Sequence, residues 1–233
     1  VREQIHAGSD VIKLMATGGV MTPGVDPEDA HYSEEELKTG VNEGHRFKRK
    51  CASHAQGAAG ILNAVRAGMD SIEHGIFLNH ECLETMLEKK TFLVPTLSAV
   101  NNIFINKDNG IPDFIVEKTL RIRERHHKSI KMFYEAGGKI AMGTDAGTPF
   151  NLHGENLQEL KFMNDLGISN KDAIKISTLN GADLMGLSDR GKISEGYFAD
   201  ILVVNGNPLE DIRAISNSCN HHTVIKNGII VKN

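Results

Sequence analysis

The chain has 233 residues, 40% hydrophobic and 24% charged, with a formal net charge of −4 from 26 basic and 30 acidic side chains. That balance suits one large α/β domain or part of something bigger, and no basic stripe interleaved with aromatics marks a nucleic-acid surface. No apolar run approaches the roughly 20 residues of a membrane helix, and three scattered cysteines without a CxxC argue against a disulfide framework. A reduced, cytoplasmic setting is the default, which an upstream signal peptide would change.

In chain order, "GSDVIKLMATGG" (Gly8–Gly19) predicts an opening strand with one lysine, Lys13, inside an apolar run. A buried ammonium there is costly, because desolvation disfavours its charge. Thr22–His31 is a loop broken by Pro23, Gly24 and Pro27. Ser33 and Glu36 form a capping box for a helix to about Phe47, whose basic end "HRFKRK" complements the helix dipole. Lys50–Ala55 predicts a second strand, "AAGILNAVRAG" a helix ending at Gly68, and Asp70–Gly75 a third strand. Asn79 caps "HECLETMLEKK", and Thr91–Leu97 reads as a fourth strand.

A long connection, "SAVNNIFINKDNGIP", leads to a helix from about Asp113 to Ala136. Lys139–Asp145 is the expected fifth strand, followed by helices near Glu155–Leu166 and Lys171–Gly186. Strand and helix alternating this way predict parallel βαβ units. From Gly186 onward the texture is β-rich, with Asn227-Gly228 as a hairpin turn. The expected division is therefore a barrel-derived part over residues 1–187 and a small β portion over 188–233.

Four predicted strands each end in one residue able to ligate or bridge a metal: Lys13, His54 in "SHAQG", His74 in "IEHG" and Asp145 in "GTDAGTP". In parallel α/β folds functional groups gather at C-terminal strand ends, and imidazole and carboxylate suit zinc and similar ions. Singly, each has a plain structural reading: a snorkelling lysine, core or rim histidines, an aspartate capping a turn. Their coincidence at separate strand ends is more specific than any one of them. A neutral lysine amine reacts with carbon dioxide to give a carbamate, which turns a cation into an anionic bridging ligand when a metal holds it.

The segments "DVIKLMATGGV", "HAQG", "AGMDSIEHG", "GTDAGTP…HGEN…EL" and "ADILVVNGNPLEDI" resemble the amidohydrolase superfamily, in its Xaa-Pro dipeptidase-like (prolidase-like) branch near the imidazolonepropionases. The resemblance implies a (β/α)8 TIM-type barrel, present here from about strand four to strand eight, and a C-terminal piece of a small β-sandwich. It also implies a metal centre, two zinc ions in the complete protein and one in this portion. Lys13 would then be the carboxylated lysine, a carbamate derived from CO2, with His54 and His74 as ligands. Asp145 would be both ligand and general base toward a metal-held hydroxide attacking an amide carbonyl. The family's His-x-His of strand one is not found in this sequence, so the expectation is that the N-terminal portion lies outside it.

His153 and Asn156 in "FNLHGEN" and Gln56 beside His54 are candidate substrate-binding residues, each with a capping or core reading as its counterpart. The activity expected is hydrolysis of an amide C–N bond, in a dipeptide of Xaa-Pro type or an N-acyl amino acid. Cyclic-amide hydrolysis of the imidazolonepropionase kind and deamination stay open, as does, from a different class, a catalytically silent fragment. The expected partner is a small-molecule substrate, with neither nucleic acid nor membrane and with room for a homo-oligomer.

Overall fold

The alternation of residues along the first strand decides which face of the sheet meets helices. The computed structural model describes residues 1–232. It falls into two units, Val1–Pro95 with Ile103–Ile140, and Thr96–Asn102 with Ala141 onward.

The first unit opens with a short helix α1 (Arg2–His6), which the sequence reading did not anticipate, and strand β1 (Val11–Met15). Helix α2 (Glu34–Arg46) starts at the expected capping box: Ser33 N–H donates to Glu36, and Glu36 N–H donates to Ser33 Oγ. Strand β2 (Lys50–Ala55), helix α3 (Ala58–Ala67), strand β3 (Ser71–His74), helix α4 (His80–Lys89, capped by Asn79) and strand β4 (Phe92–Val94) follow. The four strands form one parallel sheet in the order β1-β2-β3-β4. Short loops and sequential neighbours are the economical solution for βαβ units.

One face of this sheet carries Ile12, Cys51, Ser53, Ala55, Ile72 and Leu93, all buried, and the buried helix residues Leu37, Val41, Ile61 and Val65 complete that core. Gly44 in α2 permits the close approach: a methyl there would strike Cys51 Sγ. The other face carries Val11, Lys13 and Met15 from β1, and all three are exposed. Thus the expectation of a buried Lys13 is corrected. The period of two along a strand puts Lys13 opposite Ile12, on the face it shares with His54, where the edge strand β1 is exposed.

The expected fifth strand is corrected too. Ile140 makes a single parallel bridge to Leu93, and two residues later Met142 N–H donates to Ile176 carbonyl, so no ladder forms. β4 itself ends early, because Pro95 has no N–H and Thr96 has a φ of +52°.

Helix α5 (Leu97–Ile105) occupies what the sequence suggested was a plain connection, and α6 (Asp113–Glu135) returns to the first unit. In the second unit α7 (Gln158–Asp165) is followed by α8 (Asn170–Ser177) and α9 (Leu179–Met185), where one helix was expected. The break is Thr178, whose backbone leaves the helical region (φ −119°, ψ −85°) while its hydroxyl donates to Ile174 carbonyl. Strand β5 (Ile201–Val204), helix α10 (Arg213–Ser216), strand β6 (His221–Lys226) and strand β7 (Ile229–Lys232) complete the chain as an antiparallel sheet in the order β5-β6-β7. Asn227 and Gly228, both at positive φ, turn the hairpin as predicted. Among the described residues, Cys51, Cys82 and Cys219 are free thiols, and no helix is long and apolar enough to cross a membrane.

In the second unit one buried carboxylate ties α7 to the start of α5. Glu159 of α7 is fully buried and accepts from Leu97 N–H (2.7 Å), Ser98 N–H (2.7 Å) and Ser98 Oγ–H (2.6 Å), the first donors of α5. Burial outweighs these bonds and raises its pKa from 4.5 to about 7. A carboxyl shifted upward stabilises the fold below its unfolded pKa, and that contribution is lost as pH climbs toward 7. The stability of the natural chain relative to Glu159→Gln should therefore fall by about 3 kcal/mol between pH 4.5 and 7.5. Urea unfolding across that range measures it, and a pH-independent difference would show that Glu159 is ionised throughout.

Candidate metal centre

β2 and β3 deliver two imidazoles to one place. His54 pairs in register with Met15 and Glu73, so it lies on the sheet face of Lys13, which pairs with Ala52 two residues earlier. His74 pairs with Ala55 and by alternation would point to the helix-covered face. A φ of +74° breaks that alternation, and His74 Nε2 comes 2.9 Å from His54 Nδ1 with the ring centroids 4.6 Å apart. Both histidines are buried. Left-handed backbone at a non-glycine residue costs on the order of 1–3 kcal/mol and persists only where its surroundings enforce it.

His54 Nε2 lies 3.0 Å from the Gly18 carbonyl, so Nε2 carries the proton and Nδ1 is left to accept from His74. Gly18 approaches Asp26 so closely that a methyl would collide with the Asp26 carbonyl oxygen. Thr17 completes the junction: its hydroxyl donates to Gly18 carbonyl and accepts from Gln56 N–H. Behind His74, the fully buried His126 of α6 places Nε2 3.0 Å from His74 carbonyl and 2.9 Å from Pro95 carbonyl. Burial, followed by the neighbouring charges of His54 and Lys13, holds the His74 pKa well below 6.5. Burial likewise drops His126 to about 4. Both rings are therefore neutral at pH 7, the form in which imidazole binds metals.

The donor set fits a divalent ion. Two nitrogens on one tetrahedral zinc, each at about 2.0–2.1 Å, stand roughly 3.3 Å apart, a few tenths beyond the 2.9 Å observed. A ligating histidine characteristically donates its other ring N–H to a carbonyl, as His54 does to Gly18. Lys13 is exposed on the same sheet face, and its charge reaches His74.

Gln56 is buried, with Oε1 lacking any hydrogen-bond partner. Asp145, His153 and Asn156 belong to the second unit and are all exposed. Asp145 sits at a φ of +55° in a turn tied by Asn151 Nδ2, which donates to the carbonyls of Thr144 (2.7 Å) and Asp145 (3.1 Å). A methyl on Gly147 would stand 3.7 Å from His153 Nε2, so His153 borders that turn, while Asn156 Oδ1 accepts from Gly154 N–H.

A second group, His45, Cys51 and Asp70, brings ligand-type atoms within 4.8 Å of one another at the opposite ends of β2 and β3. Asp70 already accepts from His45, Lys50 and Cys51 N–H, and burial pushes the Cys51 thiol up to about 11. An ammonium on the carboxylate and a protonated thiol make this a clasp between strand starts, not an ion site.

A profile of the Amidohydrolase family matches residues 1–231. The chain belongs to the amidohydrolase family. Ochratoxinase of Aspergillus niger is 36% identical over 216 residues, 91% of this chain and 44% of the ochratoxinase. A Xaa-Pro dipeptidase with methionine bound in its active site is 35% identical, with a TM-score of 0.92, covering all of this chain and 57% of the other. A prolidase complexed with N-methylphosphonate-L-proline is 29% identical with a TM-score of 0.93, and 57% of its chain is covered. The amidohydrolase chain described here thus spans about half the length of these relatives. Amidohydrolases are generally metal-dependent hydrolases of small molecules, which agrees with the donor set at His54 and His74.

Sequence reading had not singled out Gly18, Thr17 or His126 for this region. His126-His127 was visible as an adjacent pair on a helix, but nothing in its spacing shows that one ring would reach the ends of two strands.

Replacing Gly18 by alanine should displace the loop from His54 and destabilise the amidohydrolase by about 1–3 kcal/mol, the usual cost of forcing a methyl into close packing. Urea unfolding reads the loss. Wild-type stability in that variant would mean that the loop yields without strain.

Proposed function

We propose that this chain contributes the larger share of a metal-dependent amide-hydrolysing centre, with a dipeptide of Xaa-Pro type or an N-acyl amino acid as substrate. The observation that carries the reading is the buried pair His54 and His74, facing nitrogen to nitrogen, with the distal His54 N–H fixed by Gly18 carbonyl. The family match and the likeness to prolidases and an ochratoxinase support the reaction class.

In this reading His54 Nδ1 and His74 Nε2 would hold zinc, and Lys13, as its carbamate, would supply an anionic ligand on the same face. A bound divalent ion lowers the pKa of water to about 7 and polarises the amide carbonyl. The remaining work falls to side chains. Asp145 takes the proton of the attacking water and returns it to the leaving nitrogen as the C–N bond breaks. Gln56, whose amide oxygen is otherwise without a hydrogen bond, would accept from a substrate N–H. His153 and Asn156, near the Asp145 turn in sequence and exposed, would contact the distal part of the substrate. The barrel part over residues 1–187, from strand four to strand eight, and the β-sandwich portion over 188–233 belong to this same reading, as does a cytoplasmic setting.

Metal uptake tests the centre directly. Titration with Co2+ or Zn2+ should give binding that His74→Ala reduces at least tenfold, and an unchanged affinity in that variant would sink the assignment. Asp145→Asn should keep the bound metal and lower the hydrolysis rate about 10²–10⁴-fold, measured on a panel of Xaa-Pro dipeptides and N-acyl amino acids. A near-natural rate would remove Asp145 from the role of base.

A further inference from the structure

We infer that Lys118, on α6, is a positioning residue for the His54 side of the centre, acting through the loop that follows β1. The inference rests on the metal-centre reading for its catalytic meaning, but its geometry stands without any ion. Lys118 Nζ donates to Val25 carbonyl (2.6 Å) and Thr22 carbonyl (2.8 Å) and reaches Gly19 carbonyl at 3.5 Å. The Phe114 ring, one turn earlier on the helix, lies 6.0 Å from the same ammonium. Three converging carbonyls and an aromatic face form the environment of a small monovalent cation, which the protein fills with its own side chain.

The loop is held at two further points. At its neck, Thr17 bridges Ala30, and Gly18 N–H donates to Asp29 carbonyl. At its tip, Arg121 binds Asp26 through both of its terminal nitrogens, at 3.0 and 2.7 Å. Between these anchors lie Gly18 and Gly19, the pair that meets His54. Gly18 carbonyl takes the His54 Nε2 proton, and a methyl on Gly19 would stand 3.5 Å from His54 Cε1. Gly18 is held by its N–H and by its close approach to Asp26, whereas Gly19, with no Cβ, is tied by its carbonyl, to Thr22 N–H at 3.4 Å and to Lys118. The short Lys118 bonds to Thr22 and Val25 carbonyls, with the longer contact to Gly19 carbonyl, restrain the loop one peptide from the bond that sets the His54 tautomer.

The test uses the metal-free chain labelled with ¹⁵N-histidine. In the natural protein His54 should show a protonated Nε2 and a bare Nδ1. Lys118→Met, which keeps the aliphatic stem, should average the His54 signals between tautomers and weaken Zn2+ binding about 2–30-fold, the range for a residue coupled to a site it does not touch. Lys118→Arg should restore both, and methylammonium added to Lys118→Ala should recover the His54 pattern by refilling the cradle. Lys118→Gln takes the place of the methionine variant if that one does not fold, with the same tautomer averaging expected. A purely structural lysine would lower the melting temperature and leave the His54 tautomer untouched, and that result overturns the inference. Absence of Zn2+ uptake by the natural chain, combined with tautomer averaging in Lys118→Met, would refute the metal reading and support the positioning role.

Discussion

Backbone carbonyls at the C-terminal ends of parallel strands must find donors once the ladder stops, and the first unit is arranged around meeting that demand with side chains. Ser129 serves Ile76, His126 serves His74 and Pro95, His54 serves Gly18, and Lys118 serves the loop beyond. An unmet buried carbonyl costs as much as a lost hydrogen bond, so each of these donors is fixed in place by the group it satisfies. The two imidazoles that face each other are products of this arrangement. One is oriented through its own N–H, the other through the backbone carbonyl of its residue.

Strain gathers at the same ends. His74 at the end of β3, Thr96 after β4 and Asp145 beyond Ile140 all adopt positive φ without being glycine. A left-handed residue at the end of a strand turns its side chain away from the face that alternation would give it. For His74 the consequence is visible, since the ring leaves the helix-covered face and meets His54. The hydrophobic layer of Ile12, Ile61, Ile72 and Leu93 beneath is rigid enough to hold such geometry.

α6 links packing to chemistry. Its buried stripe, Ile115, Thr119, Ile122, His126, Ser129, Ile130 and Phe133, keeps helical spacing, yet two members, His126 and Ser129, donate to carbonyls outside the helix. Those two occupy the levels where β3 and β4 run out of ladder partners. Charged neighbours on a more exposed flank, Lys118 and Arg121, reach the loop after β1. One helix thereby fixes segments that lie far apart along the chain.

Much of this was legible from residues alone. The capping box at Ser33, the glycine stop at Gly68, the Asn79 cap and the Asn227-Gly228 hairpin follow from local chemistry, because their partners lie within four residues. His54 and His74 stood out by their place at the ends of predicted strands, and the family could be recognised from motifs along the whole chain. The exposure of Lys13, the reduction of the fifth strand to one bridge at Ile140 and the break at Thr178 were not legible. The first two depend on what distant segments pack against or pair with, and the third on a local competition between the Thr178 hydroxyl and the helical backbone. The sequence determined the order of β1 to β4 with the helices α2, α3 and α4 between them, and the residue types at their ends, since periodicity and capping act over a few residues. Tertiary structure alone decided which ring nitrogens meet and which carbonyls they or their neighbours satisfy, since those outcomes require hydrogen bonds between residues 20 to 99 positions apart.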